Sequence, residues 1–159
     1  MRTATRQDLP RIVEIYNAAI PGRMATADTE PVSVQSREAW FAAHGPKRPL
    51  RVLEAEGRVV GWLSFRDFYG RPAYSRTAEI GLYLDPAHQG RGHGRTLLAE
   101  ALTLAPSLEL DALLAFVFAH NAASLALFER QGFVRWGLLP DVAELDGVRR
   151  SLAILGLRL

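Results

Sequence analysis

Three alternating glycines lie in the stretch 79–95, EIGLYLDPAHQGRGHGR, where residue types and spacing could bind an anion. Before the glycines the pattern alternates as in a strand, and Asp85-Pro86 ends it because proline has no N–H to donate. After Gly94, leucines and alanines recur at the spacing of a helix face. A helix N-terminus beside a bare backbone presents unpaired N–H groups and the positive end of the helix dipole. The stretch therefore predicts a phosphate-binding loop.

Two common phosphate loops do not match this stretch. A nucleoside-triphosphate loop needs Gly-Lys-Ser/Thr, whereas Gly94 is followed by Arg95-Thr96, and the dinucleotide fingerprint needs glycine at position 95. The residues from Gln89 to Gly94 fit Gln-x-x-Gly-x-Gly, which resembles the pyrophosphate loop of the GNAT acyl-coenzyme A N-acyltransferases. Alone, the pattern also describes a tight turn with a glycine-assisted helix start.

A second segment, NAASLALFERQGF at 121–133, supports the same resemblance. Asn121 is a good helix cap, and Gly132 suits the left-handed position that closes a helix. A capped amphipathic helix is the plain interpretation. The segment also resembles the second coenzyme A motif of GNAT enzymes, in which the Asn side chain faces the pantetheine arm. The two motifs are separated by one predicted helix and one apolar strand, and the pair is more specific than either motif alone.

Further segments resemble one branch of this family, the phosphinothricin and methionine sulfoximine N-acetyltransferases. They are Tyr16-Asn17, TADTEP at 26–31 and RPAYSRTAE at 71–79, and the resemblance runs nearly end to end. It implies acetyl-coenzyme A as the cofactor. The residues implied to contact this cofactor are Leu82, Tyr83, Leu84, Gln89, Gly90, Arg91, Gly92, His93, Gly94, Arg95 and Asn121. Leu82 and Leu84 would act through their main chain, and the loop N–H groups would hold the diphosphate.

Acetyl transfer from a thioester to an amine needs a neutral amine, donors for the developing oxyanion and help for the departing thiolate. The resemblance implies Glu79 as the base, acting directly or through a water, because it matches the Glu of the family's Thr-x-Glu motif. The alternative is an exposed or ion-paired glutamate on a strand. Many GNAT enzymes place a Tyr or His acid where Phe128 stands here. Either Tyr83 or a water would take that role, or the thiolate would leave without a protonating side chain.

The acceptor-binding residues that the resemblance implies are Arg71, Tyr74 and Thr77. Arginine can hold a carboxylate or phosphinate through paired hydrogen bonds, and Arg66, Arg76 and Arg23 are alternatives for that role. The implied acceptor is a small-molecule amine, either a small amino acid or an antimetabolite such as phosphinothricin, methionine sulfoximine or methionine sulfone. It would attack in a ternary complex, since the chain has no cysteine to carry an acyl group. Two other functions stay open: a peptide or protein N-terminal acetyltransferase, and an acyl-coenzyme A-binding module without catalysis.

The composition limits the number of domains and the kinds of partner that the chain could have. The 159 residues suit a single domain, 1–159, with a hydrophobic core of its own. A net charge of +2 gives no support for nucleic-acid binding, and no apolar run is long enough to span a membrane. The four histidines are scattered without metal-ligand spacing, so no metal is expected. The absence of cysteine is compatible with a reducing cytoplasm, and the resemblance implies a homodimer.

The elements that must position these residues follow the predicted order β-α-α-β-β-β-α-β-α-β-β, which matches the GNAT fold in the α/β (α+β) class. This order predicts a mixed central sheet of about seven strands with about four helices. Strands are predicted at 2–5, 50–55, 58–65, 75–84, 112–119, 133–139 and 149–157, and Asp8 is the predicted cap of the first helix. The polar loop 21–34 is long for a compact domain, which indicates a functional role, and the resemblance puts it over the acceptor.

Overall fold

The computed structural model describes residues 1–159 and contains one mixed sheet of seven strands. The strands are β1 (Arg2–Thr3), β2 (Leu50–Ala55), β3 (Arg58–Asp67), β4 (Thr77–Leu84), β5 (Ala112–Phe118), β6 (Val134–Leu145) and β7 (Val148–Arg158). The helices are α1 (Leu9–Ala19), α2 (Glu38–Ala42), α3 (His93–Leu104) and α4 (Ala122–Glu129). In the sheet the order is β1-β2-β3-β4-β5-β7-β6, and β4 with β5 is the only parallel pair. The predicted fold class and element order are confirmed.

The two faces of the sheet are covered by different helices. Successive residues of a strand point to opposite faces, so Leu63 of β3 packs in the core beneath α3 and α4, whereas Trp62 packs on the α1 side. Ile12 and Ile15 of α1 are buried in that second cluster. The sheet is therefore held from both sides at β3 and β4, the strands that carry the candidate site. No helix is both long and apolar enough to cross a membrane.

The first helix starts differently from the prediction that Asp8 caps it. Asp8 holds the cap position, but its carboxylate makes no capping bond to α1. It instead accepts hydrogen bonds from the Thr5 N–H at 2.7 Å and the Thr5 hydroxyl at 2.9 Å. Arg2 donates to the same carboxylate at 2.7 Å. Asp8 thus joins the first strand to the turn before α1, because the carboxylate points back along the chain.

The last two strands extend beyond their predicted bounds. The strand predicted at 133–139 is β6, which runs through Pro140 and Asp141 and continues to Leu145. The register shifts between Leu139 and Ala143, so the proline lies in a bulge on an edge strand, where one side of the backbone needs no partner. A two-residue turn at 146–147, with both φ angles positive, then leads into β7.

Candidate active site

A gap opens between β4 and β5 near the centre of the sheet. The two strands pair only from Thr77 to Glu79 on β4, and the rest of β4 has no partner on that side. N–H groups alternate in direction along a strand, and the N–H of Asp85 donates to the Val60 carbonyl on β3 at 2.9 Å. The N–H groups of Leu82 and Leu84 therefore point into the gap, which is the direction that their predicted role requires.

The glycine loop follows β4 and leads into α3. Gly90 and Gly92 have φ angles of 72° and 83°, in the left-handed region that favours glycine. Gly92 caps α3, so the N–H groups of the first helical turn have no partner within the helix. Gly94 has a different role, because a Cβ added there would lie 3.1 Å from Leu127 Cδ2 on α4. The other predicted loop residues are at least partly exposed beside the glycines: Gln89, Arg91, His93 and Arg95.

Two cavities meet at Glu79. The larger, here called the sheet cleft, has a volume of about 500 Å³ and lies in the β4–β5 gap. The smaller, here called the helix pocket, has a volume of about 130 Å³ and lies beneath α1 and α2. Four residues line both cavities: Arg66, Glu79, Gly81 and Tyr83. A ligand in one cavity would therefore meet a ligand in the other beside the Glu79 carboxylate.

The Glu79 side chain is partly buried at this junction. It is 30% exposed, and its Oε1 lies 3.9 Å from Nη1 of Arg66 on the neighbouring strand. This separation is too long for a hydrogen bond. The carboxylate therefore keeps its acceptor positions available to a ligand, while Arg66 lies near enough for the ion pair that was the alternative.

The loop 21–34, here called the roof loop, covers both cavities. The Tyr83 hydroxyl donates to the Ala25 carbonyl at 3.0 Å, and the Asn121 amide donates to the Met24 carbonyl at 2.9 Å. The side-chain oxygen of Asn121, Oδ1, accepts a hydrogen bond from the Ser124 N–H at 3.0 Å, and this bond caps α4. Asn121 was predicted to face the pantetheine arm; it lines the sheet cleft, and both of its polar atoms also serve the protein's own structure.

Sequence reasoning did not predict the polar cluster that side chains of the helix pocket form with the roof loop. The Tyr16 hydroxyl donates to Asp28 at 2.5 Å and contacts the Thr26 hydroxyl at the same distance. Arg37 donates to Asp28 at 2.7 Å, and its guanidinium lies 4.8 Å from the centre of the Tyr16 ring. Burial, together with the Asp28 hydrogen bond, raises the pKa of Tyr16. Tyr16 and Asp28 occur in the branch-like segments, but Arg37 and Trp40, which line the pocket together with Tyr16, carried no motif signal.

The residues considered for the acid role lie in different surroundings. Phe128 is buried and packs edge-on against Phe133, with ring centroids 5.0 Å apart. Tyr83 stacks on Trp62 with ring centroids 4.6 Å apart, and burial raises the pKa of its hydroxyl well above the usual value. Tyr83 is therefore a hydrogen-bond donor that releases its proton reluctantly.

The predicted acceptor residues do not gather at Glu79 within one chain. Arg71 and Tyr74 line a separate surface pocket beside Asp67. Thr77 begins β4, two residues before Glu79, but lines a broad concavity that extends toward β5 and β7. None of the three lines the helix pocket. Their role in acceptor binding stays a prediction.

The three alternative arginines differ in the groups that their side chains contact. Arg23 holds Asp146 with two hydrogen bonds of 2.9 and 3.0 Å, and Arg76 forms an ion pair with Asp111. Arg66 lines both cavities at Glu79. Of the three alternatives, Arg66 is therefore the one that the fold brings to the candidate base.

The split sheet, the glycine loop before α3 and the carboxylate at the junction of two cavities fit the class of acyltransferase that the sequence resembles. The chain belongs to the Acetyltransferase (GNAT) family, whose model matches residues 9–133. This match spans the roof loop, both motif segments and every residue placed at the candidate site.

Individual relatives narrow the comparison. YwnH from Bacillus subtilis (strain 168), provisionally named a phosphinothricin acetyltransferase, is 53% identical over 157 residues, covering 98% of this chain and 96% of YwnH. The L-amino acid N-acyltransferase MnaT from Escherichia coli (strain K12) is 33% identical over 160 residues, covering 100% of this chain and 93% of MnaT. A crystal structure of a phosphinothricin acetyltransferase from Sinorhizobium meliloti in complex with AcCoA has a TM-score of 0.93 and 28% identity, covering 99% of this chain and 86% of that one.

Proposed function

We propose that this protein is an N-acetyltransferase that moves an acetyl group from acetyl-coenzyme A to the amine of a small amino acid or amino-acid-like antimetabolite, of the phosphinothricin or methionine sulfoximine and sulfone type. The observation that carries the proposal is the junction at Glu79, which lines both the sheet cleft and the helix pocket. A thioester in the first and an amine in the second would meet at this carboxylate. The names of the relatives YwnH and MnaT support the acceptor class.

The sheet cleft and the glycine loop fit acetyl-coenzyme A through main-chain donors. The N–H groups of Leu82 and Leu84 point toward the place where a carbonyl and the pantetheine arm would lie. The first turn of α3 offers unpaired N–H groups and the positive end of the helix dipole to a diphosphate. A Cβ added at Gly90 or Gly92 meets nothing within 4 Å, so the loop backbone is open to a ligand. When bound, this cofactor supplies the activated acetyl group.

Glu79 is the proposed general base. It takes the proton of the incoming amine, directly or through a water, and the amine attacks the acetyl carbonyl without an acyl-enzyme, since no cysteine is present. Tyr83 fixes the roof loop through Ala25 and keeps its own proton. Because Phe128 offers no proton, the departing thiolate would take one from a water, and the proton held by Glu79 would return to that water.

The size of the helix pocket supports a small acceptor. Its volume of about 130 Å³ is closed in part by Val32 of the roof loop, which exchanges two 2.9 Å hydrogen bonds with Asn17. A peptide N-terminus would need an open groove past the first side chain, so the pocket favours free amino acids.

A homodimer is part of the proposal. On their side of the sheet, α1 and α2 leave β5, β7 and β6 uncovered. These strands carry partly exposed apolar side chains there, among them Phe116, Trp136 and Leu139. These residues line a concavity of about 690 Å³ that also includes Tyr74. Exposed apolar patches of this kind are typical of association surfaces. Light scattering after size-exclusion chromatography should give twice the chain mass for the wild type and a lower value for Trp136→Glu.

An acceptor screen by mass spectrometry tests the proposed activity. The protein is incubated with acetyl-coenzyme A and separate amines: methionine, methionine sulfone, methionine sulfoximine, phosphinothricin and short peptides. We expect acetylation of the amino-acid-like amines above that of the peptides. Preferential acetylation of peptides would support the N-terminal acetyltransferase instead. Cofactor binding without any product would indicate the non-catalytic binding module.

A further inference from the structure

We infer that Arg66 binds the α-carboxylate of the acceptor, so that Arg66 and Glu79 together recognise the two charges of an α-amino acid. The inference rests on the proposed function and deepens it, since it concerns how the same site selects its substrate. It also replaces Arg71, the arginine that the family resemblance implies and that lies in the connection between β3 and β4, with one on β3 itself.

Strand pairing places the two charged groups side by side. Arg66 of β3 lies directly opposite Glu79 of β4 in the antiparallel register. Directly opposed residues project from the same face of a sheet, here the face beneath α1 and α2. The Arg66 Nη1 atom lies 3.9 Å from Glu79 Oε1. The two groups are thus neighbours without being locked in a hydrogen-bonded pair.

Arg66 is the arginine at this site whose donors are free. Its guanidinium makes no hydrogen bond within the chain, and its side chain is 56% exposed at the mouth of both cavities. Arg37, the other arginine in the helix pocket, donates to Asp28 and lies over the Tyr16 ring. Arg71 lines a pocket that does not include Glu79.

The chemistry of an α-amino acid matches this pair. Its amine and its carboxylate are attached to the same carbon, so they can face two neighbouring groups of opposite charge at once. With the carboxylate held by the planar fork of Arg66, the amine faces Glu79, which must receive its proton. The orientation therefore follows from the substrate's own charges. A plain amine, or a peptide N-terminus whose first residue has no free carboxylate, would lack this anchor.

The test compares an acceptor with and without its carboxylate. Steady-state kinetics are measured for methionine and for its decarboxylated analogue, 3-(methylthio)propylamine, at saturating acetyl-coenzyme A. We expect Arg66→Gln to raise KM for methionine by roughly 10- to 100-fold, the range for loss of a charged hydrogen-bonded pair, while kcat/KM for the analogue changes by less than about 3-fold. Arg66→Lys should fall between wild type and Arg66→Gln, because an ammonium keeps the charge but not the fork.

Two further variants make the comparison specific. Arg58 lies near the start of the same strand, is exposed and lines neither cavity, so Arg58→Gln is the matched control and should behave as wild type. Arg71→Gln tests the rival arginine. A selective loss on methionine in Arg71→Gln, or equal losses on both acceptors in Arg66→Gln, would overturn the inference. A wild-type protein that acetylates none of the amino-acid-like amines of the acceptor screen would instead contradict the proposed function itself.

Discussion

The two halves of the candidate site are built from different parts of the chain. On the cofactor side, the donors belong to the main chain of β4, the glycine loop and the first turn of α3, which are contiguous in sequence. On the acceptor side, the groups are side chains, Tyr16, Arg37, Arg66 and Glu79, which come from four separate segments. Backbone donors cannot be altered by most substitutions, whereas each acceptor-side group can be changed alone. The acceptor side is therefore where substrate choice is set.

The comparison predicts that a side-chain change at the junction affects turnover and leaves cofactor binding intact. The largest effect is expected for Glu79→Gln, which removes the base and should lower kcat by about 10²- to 10⁴-fold. Affinity for coenzyme A by calorimetry should change by less than about 2-fold. The matched control is Glu129→Gln, at the exposed end of α4. An unchanged kcat in Glu79→Gln would remove this residue from the mechanism.

A backbone change on the cofactor side should have the converse effect. Gly92 has φ of 83°, a conformation that a β-branched residue adopts only with strain, so Gly92→Val should displace the loop N–H groups. We expect the Kd for coenzyme A to rise by roughly 10-fold or more, given a strain of about 1–3 kcal/mol.

The control is Gly57→Val in the β2–β3 turn, where φ is 77° and nothing lies within 4 Å of an added Cβ. It carries similar strain away from the loop, so it should lower stability but leave the Kd unchanged. Equal cofactor binding by wild type and Gly92→Val would argue against the loop assignment.

A milder change on the acceptor side should raise the KM for the acceptor without changing the KM for acetyl-coenzyme A. Tyr16→Phe removes the hydroxyl that contacts Thr26 and Asp28 and leaves the ring beneath Arg37. Loss of about 1 kcal/mol of hydrogen bonding predicts an increase of about 5-fold in the acceptor KM, with the KM for acetyl-coenzyme A unchanged. Tyr69→Phe, on an exposed ring with no hydrogen bond, serves as the control. An equal rise in the KM for the acceptor and the KM for acetyl-coenzyme A would mean that the roof loop contributes to binding on the acceptor side and the cofactor side alike.

A change outside both halves should alter stability without altering catalysis. The hydrogen bond from Arg2 holds the pKa of Asp8 at about 2, below its ordinary value of 3.8. Because the folded-state pKa is lowered, this stabilisation is complete above the unfolded-state value and is lost as pH falls through about 2.

Asp8→Asn should therefore lower the free energy of unfolding at pH 7 by about 2 kcal/mol, as measured by urea denaturation, with kcat/KM unchanged. The difference between the two proteins should shrink below pH of about 4. A constant difference across that range would show that the carboxylate charge is not its source.

The division between main-chain groups on the cofactor side and side chains on the acceptor side also explains which features could be predicted from the sequence. Glycine, proline and helix caps encode backbone conformation locally, so the loop at 89–94, the α4 cap at Asn121 and the order of the strands could be predicted. The helix pocket could not, because Arg37 approaches Tyr16 and Asp28 only after α1, the roof loop and α2 have folded together. Likewise, Arg66 gains its place from its register opposite Glu79, which no local pattern encodes. The long β6 was underestimated because a bulge absorbs its proline.

A crystal structure with acetyl-coenzyme A tests the central claim most directly. The account predicts the diphosphate on the N–H groups of residues 90–95, and the acetyl carbonyl in the β4–β5 gap within hydrogen-bond distance of a β4 main-chain N–H. It also predicts that Glu79 and Arg66 face the acetyl group from the helix pocket without contacting the diphosphate. Density for the cofactor elsewhere, or a diphosphate held by acceptor-side side chains, would contradict it.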